Sequence, residues 1–335
     1  MHWLRWKFYD ALSIVTFSAV VLPAVTAQRM PATAQALIFS ATLEFRHDSI
    51  PTAIQAMKDA GDKYNVQFDD TEDQAWFKDG RINKYDTLVF LDNTGEVLDD
   101  AAQTAFQNYI NSGGNFVGIH AASDCLRNST FFANELGAHF DYHPQITNAT
   151  IDVVDPSHPS TSMLPEQWQV FDEIYNFKSD PRSIGAVVLL SADESSYSDP
   201  GPRRYDQGNP HPIAWYQDHG AGSSSQDTAG RSWYTSLGHT NETWQNPLYI
   251  AHVLGGISWV LQSNTTSFTN PAAAIGSGPA TNSTNGNNNG GTTTTTEGAP
   301  GPTNTPSAGL RVAANIGSPR WILLPIIIAI AIMVG

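Results

Sequence analysis

The sequence of 335 residues contains one cysteine and few basic residues. Because Cys125 has no second cysteine to pair with, an intrachain disulfide, a zinc ribbon and a CxxC redox motif are excluded. Charged residues make up 15% of the chain, against about 25% in an ordinary soluble domain. Lys and Arg number 17 against 32 Asp and Glu, so the net charge is −15. This balance argues against a nucleic acid or an anionic membrane face as partner, since either needs clustered basic residues.

The N-terminus carries a positive region followed by an apolar one. Arg5 and Lys7 precede an apolar stretch at 11–22, and small residues occupy 25–27. This order is typical of a secretory signal peptide, which we predict over residues 1–27. The alternative is an uncleaved signal anchor, but twelve apolar residues fall short of the roughly 20 that a membrane span needs.

The C-terminus ends in fifteen uncharged residues, 321–335. As a helix they would cover about 22 Å, less than the roughly 30 Å of a bilayer's hydrocarbon core. A polar spacer at 310–320 and small residues at 307–309 precede them. These features are typical of a GPI attachment signal, so residues 307–335 are predicted to be removed on maturation. A single-pass membrane anchor is the alternative.

Residues 263–306 consist mostly of Ser, Thr, Asn, Gly, Ala and Pro. Such a composition cannot bury a core, which predicts a disordered stalk. N-glycosylation sequons also suit a secreted chain, and they begin at Asn128, Asn148, Asn241, Asn264 and Asn282. We therefore expect an extracellular glycoprotein at the cell surface, held by its lipid anchor to the plasma membrane or wall.

Residues 28–262 alternate short apolar stretches with amphipathic ones. Helical spacing of apolar residues predicts helices at 49–60, with Ser49 as cap, and at 99–110. Strands are predicted at 36–40, 64–68, 87–91 and 115–119, and less regularly near 146–154, 173–177, 186–190, 212–217 and 232–237. Buried strands separated by helices indicate a parallel sheet covered on both faces. The predicted fold class is one α/β domain with an open, mostly parallel, flavodoxin-like sheet flanked by helices.

Polar residues follow three of the predicted strands. His47 follows the first strand, Asp92 the third and His120 the fourth. In open α/β sheets, ligands bind at the carboxyl ends of the strands. Because these ends share one edge of the sheet, the three side chains are expected to converge on one cleft.

The body resembles the ThuA-like (trehalose utilisation) family of the class I glutamine-amidotransferase-like superfamily. The matching stretches occur in family order, and they are FRHDSIPTAI (45–54), TLVFLDNTGEVL (87–98), GGNFVGIHAASD (113–124), GAHFDYHP (137–144), FDEIYNF (171–177), HPIAWY (211–216) and SLGHTNETWQNPLYIAHVLGGISWVL (236–261). The resemblance implies the flavodoxin-like fold and a loose association with sugar metabolism.

The resemblance also places His120 where the wider superfamily presents a nucleophilic cysteine, on the turn between strand and helix. A glutamine amidotransferase needs a thiolate to form its acyl-enzyme, so amide transfer is not expected. Cys125 lies five residues further on and is interpreted as a buried apolar residue, because a lone cysteine seldom acts as nucleophile.

An imidazole at this turn can act as a general base, a proton shuttle or a metal ligand. We predict His120, Glu173 and Asp92 as catalytic residues, and His47, His143 and His239 as ligands of a divalent metal such as zinc. At least three members of one set are expected within about 8 Å of one another, and the set is His47, His120, His143, Glu173 and His239. For each histidine other than His120, a structural hydrogen bond to a backbone carbonyl stays equally open, and His158 and His252 are interpreted as structural.

Aromatic residues crowd the second half of the body. Since aromatic rings stack on the C–H faces of sugars, Trp215 and Trp244 are candidate substrate contacts, together with Tyr175 and Arg46. For the two tryptophans, burial in the core is an equally good interpretation.

Two classes of function remain. The first is a carbohydrate-active or polyol-active enzyme, hydrolase or isomerase-like, with a His-based and perhaps metal-assisted site. The second is a noncatalytic sugar-binding or wall-associated surface protein, in which the histidines would be scattered or packed in the core. An adhesion role of the stalk alone is a third. We favour the first and expect a small-molecule or carbohydrate ligand.

Overall fold

The computed structural model describes residues 33–220 and 230–263. The predicted signal peptide and anchor signal, and all of the predicted stalk except Ser263, lie outside these residues. Within the described part of the chain, no helix is both long enough and apolar enough to cross a membrane.

Strands and helices alternate along the first half of the described chain, as the apolar pattern predicted. The helices are α1 (Ile50–Gly61), α2 (Ala75–Lys78), α3 (Asp100–Asn111), α4 (Thr130–Leu136), α5 (Asn241–Gln245) and α6 (Pro247–Leu261). The strands are β1 (Ala34–Phe39), β2 (Val66–Thr71), β3 (Thr87–Leu91), β4 (Thr94–Gly95), β5 (Asn115–Ile119), β6 (Asp124–Cys125), β7 (Phe140–Tyr142), β8 (Thr147–Val153), β9 (Gln167–Asp172), β10 (Asn176–Phe177), β11 (Val187–Ala192), β12 (His211–Gln217) and β13 (Ser232–Thr235).

Nine of these strands form one sheet in the order β2-β1-β3-β5-β13-β12-β11-β8-β9. The first five strands in this order pair in parallel, and the remaining pairs are antiparallel. The expected parallel sheet is therefore one half of a larger mixed sheet. Strands β8 and β9 alternate buried and more exposed residues, as antiparallel strands with one solvated face do.

Helices cover both faces of the parallel half and enclose two apolar cores. Ala53 and Met57 of α1 pack with Leu254 and Ile257 of α6 in the first core. On the opposite face, α2, α3 and α4 contribute Phe77, Phe106 and Phe132, whose rings contact one another or Phe90 of β3. Strands buried on both faces explain the continuous apolar runs in the sequence.

Two local predictions were wrong. Ser49 precedes α1, but its side chain makes no cap hydrogen bond; Oγ instead donates to Asp92 Oδ2 at 3.4 Å. The strand predicted at 173–177 is only β10, and residues 173–175 form an irregular segment between β9 and β10. This segment leaves the sheet after Asp172 and places Glu173 at the carboxyl edge of the parallel strands.

Candidate functional site

Four side chains from separate parts of the chain meet at the carboxyl edge of the parallel strands. His47 follows β1, His120 follows β5, Glu173 follows β9 and His239 follows β13. One ligand atom from each of the four lies within 4.8 Å of the other three. We call these residues the His/Glu cluster. Of the five residues predicted to converge, only His143 lies outside it.

The Glu173 carboxylate joins the imidazoles. Its Oε2 lies 3.2 Å from His239 Nδ1 and 3.5 Å from His120 Nε2, while Oε1 lies 3.3 Å from His143 Nε2. Ring centroids are 4.7 Å apart for His47 and His120, and 5.1 Å for His47 and His239. His143 therefore contacts the cluster only through Oε1 of Glu173, the oxygen that does not face His120 and His239. The side chain of His143 is one-third exposed.

Asp172 holds two members of the cluster in place. Its Oδ1 accepts hydrogen bonds from the backbone N–H groups of Glu173 (2.8 Å) and His239 (3.2 Å). Its Oδ2 accepts from Gly238 N at 3.0 Å and from Thr243 Oγ1 at 3.1 Å. A buried carboxylate with four donors is fully satisfied, so Asp172 orients the segments that carry Glu173 and His239.

His120 is held more tightly than a place on the turn between strand and helix suggested. It is fully buried, and its backbone has φ of +51°, a conformation uncommon for residues other than glycine. Nδ1 donates to the Ser236 carbonyl at 2.6 Å, and Tyr175 Oη lies 3.0 Å from Nε2. A backbone acceptor at Nδ1 fixes the ring and directs Nε2 toward Glu173, as is usual for imidazoles that bind metals.

The environments of the two buried imidazoles move their pKa values in opposite directions. Burial, followed by the nearby positive charges of His120 and His239, lowers the pKa of His47 to about 2. For His120, burial also acts to lower the pKa, but the hydrogen bond with Glu173 and the charges of Asp92 and Asp172 raise it to about 9. At neutral pH, His47 is therefore neutral while His120 holds a proton.

The two carboxyl groups predicted as catalytic also differ. Burial acts to raise the pKa of Glu173, but the neighbouring imidazoles of His120 and His239 hold it well below its usual range. Burial raises the pKa of Asp92 to about 7, against the opposing charge of His120 and the hydrogen bond from Ser49. Glu173 is thus ionised at neutral pH, whereas Asp92 exchanges its proton near neutrality.

Two buried imidazole nitrogens of the cluster are unpartnered. Nδ1 of His47 and Nδ1 of His239 have no hydrogen-bond partner among residues 33–220 and 230–263. The 3.2 Å approach of His239 Nδ1 to Glu173 lacks hydrogen-bond geometry. Buried polar atoms without partners are costly and uncommon, so these nitrogens are suited to a ligand that the cluster binds.

A family model described as trehalose utilisation, ThuA, matches residues 35–260. The chain belongs to the ThuA family. The resemblance inferred from the sequence motifs is thereby confirmed. No curated protein matches the chain.

Solved ThuA-like structures share the fold of this ThuA domain. A ThuA-like protein from Bacteroides uniformis is 21% identical, with a TM-score of 0.56 over 73% of this chain and 97% of the other. A second one, from Parabacteroides merdae, is 18% identical, with a TM-score of 0.51 over 68% and 90% of the two chains. At these identities the similarity establishes the α/β fold alone.

The two tryptophans predicted as substrate contacts are in the core of the ThuA domain. Trp215 is 1% exposed, its Nε1 donates to Leu136 O at 2.8 Å, and its ring packs on Phe177 and Tyr234. Trp244 is also 1% exposed and donates to Gly238 O at 2.9 Å. Neither ring presents a face to solvent, so the substrate-contact prediction was wrong for both.

Arg46 and Tyr175 are engaged with other residues. The Arg46 guanidinium forms a two-pronged ion pair with Glu72 at the surface, with N–O distances of 2.7 and 3.2 Å. Tyr175 is buried, stacks on the His120 ring at 4.6 Å and contacts Nε2 through its hydroxyl. The backbone carbonyl of Tyr175 accepts from His211 Nε2 at 2.8 Å, so His211 positions Tyr175 and lies outside the cluster.

Cys125 is buried as interpreted, and burial raises the pKa of its thiol. Its Sγ donates to Ala122 O at 3.3 Å. Asp172 was not among the residues predicted from the sequence. The available signal was its position immediately before the candidate Glu173 and the strand predicted at 173–177, where a carboxylate can accept from following backbone N–H groups.

Proposed function

We propose that the His/Glu cluster binds a divalent metal such as zinc and that the domain is a metal-assisted enzyme acting on a carbohydrate or related polyol. The observation that carries this proposal is the convergence of three imidazoles and one carboxylate within 4.8 Å. Nitrogen and carboxylate ligands in this number match zinc, which binds three or four such groups. Membership of a trehalose utilisation family supports a sugar as the substrate class.

The cluster fits a metal better than it fits a self-contained hydrogen-bond network. Two of its buried nitrogens have no partner in the described part of the chain. His47 is neutral at physiological pH and so offers a lone pair without first losing a proton. His120 already donates Nδ1 to Ser236, which leaves Nε2 as its ligand atom once the proton there is released.

A divalent cation bound here would supply Lewis-acid polarisation of a substrate oxygen. Glu173, ionised and with Oε2 within 3.5 Å of two imidazoles, would anchor the site. Asp92, with its pKa near 7, would hold or accept a proton at the pH where general acid–base catalysis is most effective. His143 is one-third exposed beside Glu173 Oε1, which positions it to pass protons between the cluster and solvent. In this proposal His143 transfers protons instead of binding the metal. His120 and Glu173, which were predicted as catalytic residues, are metal ligands.

The gathered imidazoles favour the enzyme interpretation over a noncatalytic sugar-binding protein, for which we expected scattered or core-packed histidines. Buried, charge-coupled groups with shifted pKa values are typical of catalytic sites.

Metal titration tests the proposal. The full-length chain, stripped with chelator, should bind one equivalent of Co²⁺ with visible absorption bands of a nitrogen- and oxygen-liganded centre, and Zn²⁺ should displace it. Glu173→Gln should weaken Zn²⁺ binding by more than about 100-fold, since even residues that only support ligands contribute 10–100-fold. Glu166→Gln, at an exposed carboxylate just before β9, is the matched control. An unchanged Zn²⁺ affinity in Glu173→Gln would refute the metal site.

We further propose that the domain is displayed on the cell surface by a GPI anchor. The short uncharged tail, the spacer and the N-terminal signal support this arrangement. Treatment of cells with phosphatidylinositol-specific phospholipase C should release the protein. Retention in the membrane fraction with residues 321–335 still attached would contradict the proposal.

A further inference from the structure

The segment between β1 and α1 exposes two apolar side chains beside the cluster. Leu43 is 70% and Phe45 63% exposed, the highest values among the large apolar residues exposed in the described chain. The Phe45 ring meets the His47 ring edge-on, with centroids 4.8 Å apart. The same His47 ring lies 4.7 Å from His120. Phe45 is therefore the solvent-facing neighbour of the cluster.

Hydrogen bonds and ion pairs fasten this segment on both sides of Phe45. Leu43 N donates to Thr94 O at 2.9 Å, and Thr94 Oγ1 donates to Phe45 O at 2.7 Å. The Arg127 guanidinium forms an ion pair with the Glu44 carboxylate, with N–O distances of 2.9 and 2.6 Å. The segment is thus fixed before any ligand arrives, although it carries side chains that water solvates poorly.

Gly95 allows the close approach that makes this fastening possible. Its φ is +78°, and a Cβ there would lie 3.1 Å from Glu44 Cγ and 3.2 Å from Leu43 Cβ. Any other residue at 95 would combine a strained backbone with pressure on the segment. Strand β4 therefore leaves room for Leu43 and Glu44 to pack closely against it.

Single exposed apolar residues are ordinary on protein surfaces, but here two of them lie on one fastened backbone segment, and Phe45 contacts a buried member of the cluster. An aromatic side chain on a fixed backbone has only two χ angles to order when a ligand covers it, so binding costs little conformational entropy. Charged groups alternate with the apolar ones here, since Glu44 and Arg46 flank Phe45. A ligand that matches this surface has an apolar face and a polar rim.

We propose that Phe45, with Leu43 beside it, is the stacking platform for the C–H face of a pyranose ring whose hydroxyls reach the His/Glu cluster. This inference rests on the proposed function, because it assigns the substrate contact for that same site. Phe45 takes the role of substrate contact that the sequence predicted for Trp215 and Trp244. Its ring is exposed and adjoins the cluster, whereas theirs are buried.

The test is ligand-observed saturation-transfer NMR on the full-length, zinc-loaded chain, with trehalose as a ring-containing probe and mannitol as an acyclic polyol. Phe45→Ala should raise the Kd for trehalose about threefold to tenfold, the range expected for one aromatic stacking contact. Phe45→Trp should preserve or tighten binding. Tyr205→Ala removes an aromatic residue that is 47% exposed and should leave the Kd unchanged.

Mannitol should bind more weakly than trehalose to the wild type and respond little to Phe45→Ala, because it has no rigid ring face. An unchanged Kd for trehalose in Phe45→Ala, equal binding of the two probes, or no trehalose binding by the wild type would each overturn the platform. Zinc titration of the same samples separates this result from the fate of the metal site. If zinc fails to bind while Phe45→Ala still weakens trehalose binding, the metal proposal falls and the platform stands.

Discussion

The His/Glu cluster and a second group of buried histidines differ in what faces the imidazole nitrogens. In the His/Glu cluster, nitrogens face one another and the carboxylate of Glu173. In the second group, His158 and His252 share Ser160: His158 Nδ1 bonds its hydroxyl at 2.8 Å, and His252 Nδ1 its carbonyl at 2.8 Å. We call this second group the Ser160 pair.

The pKa values show the consequence of this difference. Burial lowers the pKa of His158 to about 3 and that of His252 to about 4. His120 is as deeply buried as His252, yet its pKa rises to about 9 because Glu173 and Asp92 favour its charged form. Burial alone therefore does not set the pKa of a histidine in this domain. A facing carboxylate separates His120 from the Ser160 pair, whereas His47, whose ring faces other imidazoles, has its pKa lowered to about 2.

Removing a histidine of the Ser160 pair should destabilise the fold more than removing a histidine of the cluster. His252 bonds Ser160 O and Thr235 Oγ1 and packs on Trp233 with ring centroids 5.0 Å apart. His252→Ala should lower the free energy of unfolding by about 2–4 kcal/mol, as removal of a large core side chain does. Zinc affinity should be unchanged.

His239→Ala is the matched variant in the cluster. Its side chain is about one-quarter exposed, so the free energy of unfolding of the metal-free protein should change by less than about 1 kcal/mol, while zinc affinity falls. Urea denaturation and zinc titration measure the two effects. Equal destabilisation by both variants would remove the distinction between the groups.

Asp172→Asn should affect stability and metal affinity together. The substitution keeps the shape of the side chain, but an amide nitrogen then faces N–H or O–H donors that the carboxylate accepted. Leaving buried donors unpaired costs about 1–3 kcal/mol. Because Glu173 and His239 lose their fixed orientation, zinc affinity should fall about 10–100-fold. A loss of stability with unchanged zinc affinity would show that Asp172 supports the fold alone.

The Ser160 pair also makes the stability of the domain depend on pH. The folded-state pKa values of the Ser160 pair lie below the usual 6.5, so between pH 6.5 and about 4 the unfolded chain binds more protons than the folded one. Stability is therefore lost as pH falls through this window, by up to about 1.4 kcal/mol per pH unit for each group.

His158→Gln should flatten this slope, while His219→Gln, at an exposed position, should not. Denaturation midpoints measured at intervals from pH 7 to 4 give the slope for each variant. The same slope in His158→Gln and in the wild type would mean that His158 is already charged in the folded protein.

The parallel half of the fold followed directly from the sequence because its strands are continuous apolar runs and its helices have regular apolar spacing. Convergence of His47, His120 and His239 also followed, since each comes just after a strand of the parallel half. In such a sheet these positions share one edge whatever the side-chain details. Topology alone thus brought three imidazoles together.

The remaining features depended on tertiary contacts that no local pattern records. Trp215 and Trp244 are as amphipathic as surface-exposed tryptophans, and only the packing of Phe177, Tyr234 and Tyr249 around them determines their burial. The antiparallel half was missed because short strands of mixed polarity do not specify their direction. Ser49 was assigned to the helix cap by its position, but a buried carboxylate close in space bonds its hydroxyl instead.

The four members of the cluster are spread along the chain from residue 47 to residue 239. During synthesis, the set is completed only when the last of these segments has emerged and β13 has paired with β5. A ligand that bridges all four residues therefore binds the finished sheet and none of its precursors. At a free concentration 100 times its Kd, such a ligand adds about 2.7 kcal/mol to the stability of the folded state. Occupancy of the site thus reports that folding is complete.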